Sequence, residues 1–288
     1  MINLRHTPIE TYFTGPTGRT RVLVKREDLC TPEPGPNFSK MRGIVKRLET
    51  LKRQGYTTVG YTETSISMAG WGVAWAAQEI GLHVVIFDPQ YKEYVKKPDH
   101  LKLLDAHRNK WIIFGAELVP LPAGRAKVNF HIGKKLLDKM YPNRSVMLPL
   151  GLSLPETVEE VGREAQTIPK NIRTIVVNVG SGTICAGILR GLSDRSVLVN
   201  GILGRTGNIY MKHKHITELD GSLFSMPALE LFDPGYEYTE PENFPAPFPC
   251  HRYYDRKAWA WLAGNSNRFS DPILFWNIGG EESKLHET

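Results

Sequence analysis

Cysteine is scarce in this chain: 288 residues contain three, Cys30, Cys185 and Cys250. They are widely spaced and form no CxxC pair, which argues against a disulfide framework or a thiolate zinc site and fits a reducing cytoplasm. The histidines, including His213 and His215, lack a metal-ligand pattern, so no metal is expected. Long apolar runs are also missing. The run TIVVNV at 174–179 is far too short to span a bilayer, and the first ten residues, MINLRHTPIE, hold no apolar core of a signal peptide. No membrane partner is expected. No internal repeat or low-complexity tract appears.

Acidic and basic residues are unevenly placed. Residues 92–144 hold twelve Lys or Arg against five Asp or Glu, whereas residues 216–251 hold seven acidic residues and no Lys or Arg. Such asymmetry attracts an anionic partner to one region, although solvated helix faces give the same pattern. The net charge of +6 alone does not identify nucleic acid.

What is present is an alternation of strand-like and helix-like runs, the pattern of an α/β protein with a parallel sheet. Strands are expected at 21–25, 57–61, 83–87 (ended by Asp88-Pro89), 146–150, 174–179, 197–203 and 272–276. Helical spacing appears after residue 41, over 69–80, 101–114, 133–140, 156–168, 186–192 and 256–264. Residues 226–249 are rich in proline and read as a long irregular excursion.

Two segments carry chemistry. In Asn37-Phe38-Ser39-Lys40-Met41-Arg42, Ser39 is a candidate N-cap that places Lys40 in the first turn of a helix. The positive end of the helix dipole disfavours an ammonium there, and a lysine must be neutral to condense with an aldehyde. An ordinary surface lysine fits the same pattern. The second segment, Gly180-Ser181-Gly182-Thr183, follows a strand and opens a helix. Its amides and hydroxyls suit a phosphate dianion, or simply make a tight turn. It lacks the Lys-Ser/Thr ending of a nucleotide P-loop.

Together these segments resemble the fold type II pyridoxal-phosphate enzymes, the tryptophan synthase β-like family. Aminocyclopropane-carboxylate deaminase and D-cysteine desulfhydrase are the nearest members. The resemblance covers most of the chain: KREDL at 25–29 resembles the family's strand end, and residues 37–42 its cofactor-lysine segment. Residues 64–77 match its TSGNTG loop and helix in length, and residues 107–118 resemble its segment ending in GAEV. The Tyr254-Asp255-Arg256-Lys257 segment and the terminal ILFWNIGG resemble the deaminase and desulfhydrase. The family implies two doubly wound parallel-sheet domains with pyridoxal 5'-phosphate in the cleft between them. Residues 44–151 would be a small mobile domain, and residues 1–43 with 152–288 a large cofactor-binding domain. A homodimer is expected on the same ground.

The resemblance implies that Lys40 holds the cofactor as a Schiff base and later carries the proton at Cα. Gly180, Ser181, Gly182 and Thr183 would hold the phosphate. Asp255 falls where the deaminase has a carboxylate beside the pyridine nitrogen, a partner that keeps the ring protonated and able to accept a carbanion's charge. Capping its own helix is the plainer role. Tyr254 would pack at the ring or serve as an acid, and Asn277 would lie near the cofactor. The loop Thr64-Ser65-Ile66-Ser67 would hold the substrate carboxylate. This loop departs from the family: Ser67 stands where asparagine usually meets the cofactor's phenolic oxygen, and Ile66 and Met68 are apolar. A drier grip on a carboxylate favours its loss as carbon dioxide, unless both side chains merely face the core.

The leading function is therefore a lyase of the deaminase, desulfhydrase or decarboxylase type, acting at Cα of a small amino acid or amino-acid-like group. A phage-type decarboxylase of an amino-acid-modified thymidine in DNA is a narrower alternative, supported by the basic stretch. A catalytically inactive cofactor-binding or nucleic-acid-binding homologue is the third, favoured by Ser67.

Overall fold

In the run TIVVNV every residue but Asn178 is β-branched, and all six are buried. A strand apolar on both faces needs cover on both sides, which is the situation of a parallel sheet between helices. The computed structural model describes residues 2–64, 66–91, 98–221, 228–269 and 272–280. Its elements run β1 (Ile9–Thr14), β2 (Thr20–Arg26), α1 (Met41–Arg53), β3 (Thr58–Thr62), α2 (Ala69–Ile80), β4 (His83–Gln90), α3 (Pro98–Ile113), β5 (Glu117–Pro122), α4 (Ala126–Met140) and β6 (Ser145–Met147). They continue as α5 (Pro155–Ala165), β7 (Thr174–Val179), α6 (Thr183–Gly191), β8 (Leu198–Leu203), α7 (Ile209–Asp220), β9 (Ala228–Phe232), α8 (Asp255–Asn265) and β10 (Ile273–Asn277). No described helix is long and apolar enough to cross a membrane.

The chain divides into two compact units. One comprises Met1–Asn3, Glu33–Pro36 and Ile44–Leu154; the other comprises Leu4–Pro32, Asn37–Gly43 and Pro155–Thr288. The first holds a four-stranded sheet in the order β5-β4-β3-β6, with every pairing parallel. Val85, Phe87, Leu121 and Leu137 form a core between that sheet and α4. The second unit holds a six-stranded sheet in the order β1-β2-β10-β7-β8-β9, parallel except for the β1–β2 pair.

Alternation along the central strands of the second unit separates two cores. Ile175, Val177, Leu274 and Trp276 face α5 and α6, whereas Val176, Ile273 and Phe275 face Trp259 and Leu262 of α8. Helices α5 and α6 approach closely because Gly191 meets Gly162: a Cβ on Gly191 would lie 2.1 Å from the Gly162 carbonyl oxygen.

The structure corrects several boundaries. Strand β4 does not stop at Asp88-Pro89 but runs to Gln90. Pairing with β3 ends at Phe87, so beyond it Pro89 has a partner only in β5, and a missing N–H is tolerated on such a local edge. Strands β1, β5 and β9 and helix α7 are additional to the elements expected. Strand β9 lies inside the stretch 226–249 read as irregular, of which residues 226 and 227 are outside the described residues. Helix α6 begins at Thr183, directly after the glycines, rather than at 186.

A buried ionic network ties the end of β2, the start of α1 and α5 together. Lys25 Nζ lies 2.5 Å from Glu164 Oε1, Arg42 donates to both carboxylate oxygens of Glu27 at 3.0 Å, and Arg42 also lies 3.5 Å from Glu164. Lys25, backed by Arg42, holds the Glu164 carboxyl down at about 2 against the opposing effect of burial. That stabilisation is present above the ordinary carboxylate range and is lost as pH falls towards 2. Replacing Glu164 with glutamine leaves the Lys25 charge buried without its partner. We expect this to lower the unfolding free energy by about 3 kcal/mol or more in urea denaturation at neutral pH.

Candidate active site

The segment that carries Lys40 is held against the end of the chain. Ser39 N donates to Ile278 O at 2.8 Å and Gly280 N to Asn37 O at 3.0 Å. Helix α1 starts at Met41, one residue after Lys40, so Lys40 precedes the first turn instead of lying in it. Ser39 is not a side-chain cap: its buried hydroxyl has no hydrogen-bond partner. The Lys40 side chain crosses to the loop after β7, where Nζ lies 3.1 Å from Ser181 Oγ. Removal from water, followed by the nearby charge of Lys212, lowers its pKa to about 8. At neutral pH an appreciable share of the amine is then unprotonated.

The loop itself is shaped by Gly182, whose φ of 95° is left-handed and whose Cβ would lie 2.7 Å from Ile216 Cγ1. No other residue fits there without strain. A Cβ at Gly180 would meet nothing within 4 Å, so the space beside the loop is open. Ser181 Oγ lies 2.9 Å from Thr183 Oγ1 and accepts weakly from Thr183 N at 3.4 Å. The start of α6 and an ammonium thus face the same short turn.

Asp255, fully enclosed, opens α8 and its carboxylate accepts from its own backbone amide there. It also accepts from Ile278 N at 3.2 Å and Gly279 N at 3.0 Å, the residues that follow β10. Burial raises its pKa to about 8; the amides of Ile278, Gly279 and Asp255 itself oppose the effect, and the charge of Asp28 adds to it. Asn277 donates through Nδ2 to Asp28 Oδ1 and Pro249 O, each at 2.8 Å, while its Oδ1 has no partner. Asp28 is gripped by Arg26 through two bonds of 2.9 and 2.7 Å. Tyr254 stacks on His251 with ring centroids 4.7 Å apart, and its hydroxyl lies 3.2 Å from that of Tyr238.

Lys40, Ser181 and Thr183 are therefore brought together, and the residues after β10 join the Lys40 segment to Asp255. Of the substrate-loop residues, Thr64, Ile66 and Ser67 belong to the first unit, and Ser65 lies outside the described residues. Ile66 and Met68 are buried. Ser67 Oγ accepts from Ala69 N at 3.1 Å and also bonds Glu63. Glu63 accepts from Thr64 N at 2.7 Å and Gly70 N at 2.6 Å, and burial raises its pKa to about 8.

Sequence reasoning missed Asn178, Glu63 and Lys212. Asn178 was legible as the one polar residue in an apolar strand. It is buried near the end of β7 with neither side-chain polar atom partnered. Glu63 and Lys212 had no signal of their own.

Pyridoxal phosphate fits this donor set. It needs an amine near neutrality, a turn open to a dianion and a carboxyl for its ring nitrogen; Lys40, the loop after β7 and Asp255 are of those types. Orphaned polar atoms at the ends of β7 and β10 add to the fit, since ligands of parallel sheets bind at carboxyl strand ends.

Comparison with known proteins agrees. The chain is 36% identical to a glycyl-dTMP PLP-dependent decarboxylase of Pseudomonas phage M6, over 96% of this chain and 99% of that protein. Its fold matches the crystal structure of an ACC deaminase homologue with a TM-score of 0.77 at 22% identity, covering 97% of this chain and 91% of the other. Diaminopropionate ammonia lyase of Escherichia coli matches with a TM-score of 0.66 at 15% identity, over 98% and 84% of the two chains. The tryptophan synthase β-like architecture inferred from the motifs is borne out. Residues 3–209 match the pattern of the family described as pyridoxal-phosphate dependent enzymes, and the chain belongs to that family.

Proposed function

We propose that the protein is a decarboxylase acting on an amino acid carried by a thymidine nucleotide. The observation that carries this reading is the likeness to a glycyl-dTMP decarboxylase over nearly the whole of both chains. Bound pyridoxal phosphate supplies an aldehyde for the substrate amine and a protonated ring that takes up the electron pair left at Cα when carbon dioxide departs.

In this reading Lys40 would hold the cofactor's aldehyde, and its amine would deliver the proton that replaces the carboxylate at Cα. Gly180, Ser181, Gly182 and Thr183 grip the phosphate through amides and hydroxyls. Asp255, whose carboxyl becomes charged most readily beside a cation, keeps the ring nitrogen protonated. Asn277, whose Oδ1 is unpartnered, would lie near the cofactor, and Tyr254, hydroxyl-paired with Tyr238, would pack at the ring or serve as an acid. Thr64, Ser65, Ile66 and Ser67 form the substrate loop. Ser67 has one hydroxyl proton to give, and its hydroxyl is hydrogen-bonded with Glu63. A homodimer in the cytoplasm belongs to the same proposal.

The substrate's attachment to DNA is favoured by Lys127, Lys134, Lys135 and Lys139, all exposed on α4; residues 92–97 of the basic stretch lie outside the described residues. Product analysis tests the reading. With a glycyl-thymidine nucleotide, free or within a duplex, we expect carbon dioxide and uptake of one solvent hydrogen at Cα. Release of ammonia without carbon dioxide would replace this reading with a deaminase. Duplex binding that weakens steeply with salt is expected of the DNA-linked form.

A further inference from the structure

Helix α7 flanks the loop after β7 with two side chains one turn apart. Ile216 fills the place beneath Gly182, and Lys212, four residues earlier, donates from Nζ to Gly180 O at 2.7 Å. Lys40 reaches Ser181 in the same loop, so two ammonium groups are bound to adjacent residues. Lys212 is half-buried and lies at the end of the first turn of α7, where the helix dipole repels a cation. Among the described residues no carboxylate pairs with it, and the nearby charge that acts on it, Arg205, is also positive. The start of α6 adds a second positive helix end at the same turn. A half-buried ammonium such as that of Lys212, with no carboxylate paired to it among the described residues, is costly in the absence of an anion and favourable in its presence.

We propose that Lys212 is a phosphate-binding residue of this enzyme, neutralising the cofactor's phosphate at the turn formed by residues 180–183. This rests on the reading that this turn, rather than another part of the chain, holds the phosphate. Loss of one charge-assisted contact of this kind corresponds to a ~10- to 100-fold loss of affinity.

The test uses the full chain stripped of cofactor, with dissociation constants for pyridoxal phosphate and for pyridoxal, which lacks the phosphate, measured by equilibrium dialysis. Lys212→Met should weaken pyridoxal phosphate ~10- to 100-fold, leave pyridoxal unchanged and abolish the thermal stabilisation given by inorganic phosphate. Lys212→Arg should retain most of the preference, and Lys212→Gln serves in place of the methionine variant if that one does not fold. An unchanged ratio of the two affinities in Lys212→Met or Lys212→Gln overturns the proposal. The double variant Ser181→Ala with Thr183→Val separates the two readings. If it loses the preference for the phosphorylated form while the Lys212 variants keep it, the loop reading stands and Lys212 is excluded. If none of the variants changes the preference, the loop reading fails as well.

Discussion

Replacing Lys40 with alanine is expected to abolish covalent capture of pyridoxal phosphate and to lower turnover by about 10²- to 10⁴-fold, the range that a positioned proton-transfer group contributes. The protein should still fold, because what fixes the segment is backbone and neighbouring side chains: Ser39 N on Ile278 O, Gly280 N on Asn37 O, and Arg42 on Glu27. In the unaltered protein the rate of capture should rise with pH as the amine loses its proton, passing half of its maximum near pH 8 and levelling off above it, rather than passing half-maximum near 10.5, where an ordinary lysine titrates. Stopped-flow absorbance across pH 6 to 10 (about four pH units of range) reads this directly. A plateau only at ordinary lysine values would mean that the amine is neither enclosed nor repelled by Lys212.

Asparagine at position 255 is expected to separate stability from activity. Asp255 is buried, and its pKa stands at about 8 instead of 3.8. The folded protein therefore binds more protons than the unfolded chain between those values, and stability contributed by this residue falls as pH rises from about 4 to about 8. Asp255→Asn removes that titration and keeps one of the two oxygens that accept from Ile278 and Gly279, at the cost of the other hydrogen bond. The cofactor-free variant should thus gain stability over the parent as pH rises, most clearly at pH 8 and above. Its turnover should fall by about 10²-fold or more, since no carboxylate then holds the proton on the ring nitrogen. Urea midpoints near the two ends of the window, at about pH 4 and about pH 9, together with turnover measure both effects. A variant that loses stability at alkaline pH and keeps its turnover would remove Asp255 from the proposed chemistry.

The large features of this protein were legible because they obey strong local rules. Strand β7 is β-branched on both faces, α2 is rich in small residues between clear stops, and the glycines after β7 announce a backbone turn. The elements missed lie where those rules weaken. Strand β5 carries two prolines, and β9 is a partly exposed edge in a proline-rich stretch. Helix α7 buries only Ile216 and Asp220, so its apolar face is too narrow to give a period. In the candidate site, Lys40 and the turn at 180–183 stand out by residue type and context, and the structure brings them within 3.1 Å. Lys212 does not stand out, since its approach to the turn arises from a packing between residues 32 positions apart that no local pattern encodes. Ser39 misled for a simpler reason: serine before a helix is a common cap, but here backbone pairing with Ile278 fixes the segment and the hydroxyl takes no part.

Lys257 provides the sharpest internal comparison for the central claim. Burial lowers its pKa to about 8 as well, but its ammonium donates to Gly204 O at 3.0 Å and Glu237 O at 2.6 Å and is held as a cation between backbone carbonyls. Borohydride reduction of the protein loaded with pyridoxal phosphate, followed by peptide mapping, distinguishes the two. The label is predicted on the peptide that contains Lys40; a label on Lys257 or on any other lysine, or none at all, would contradict the account.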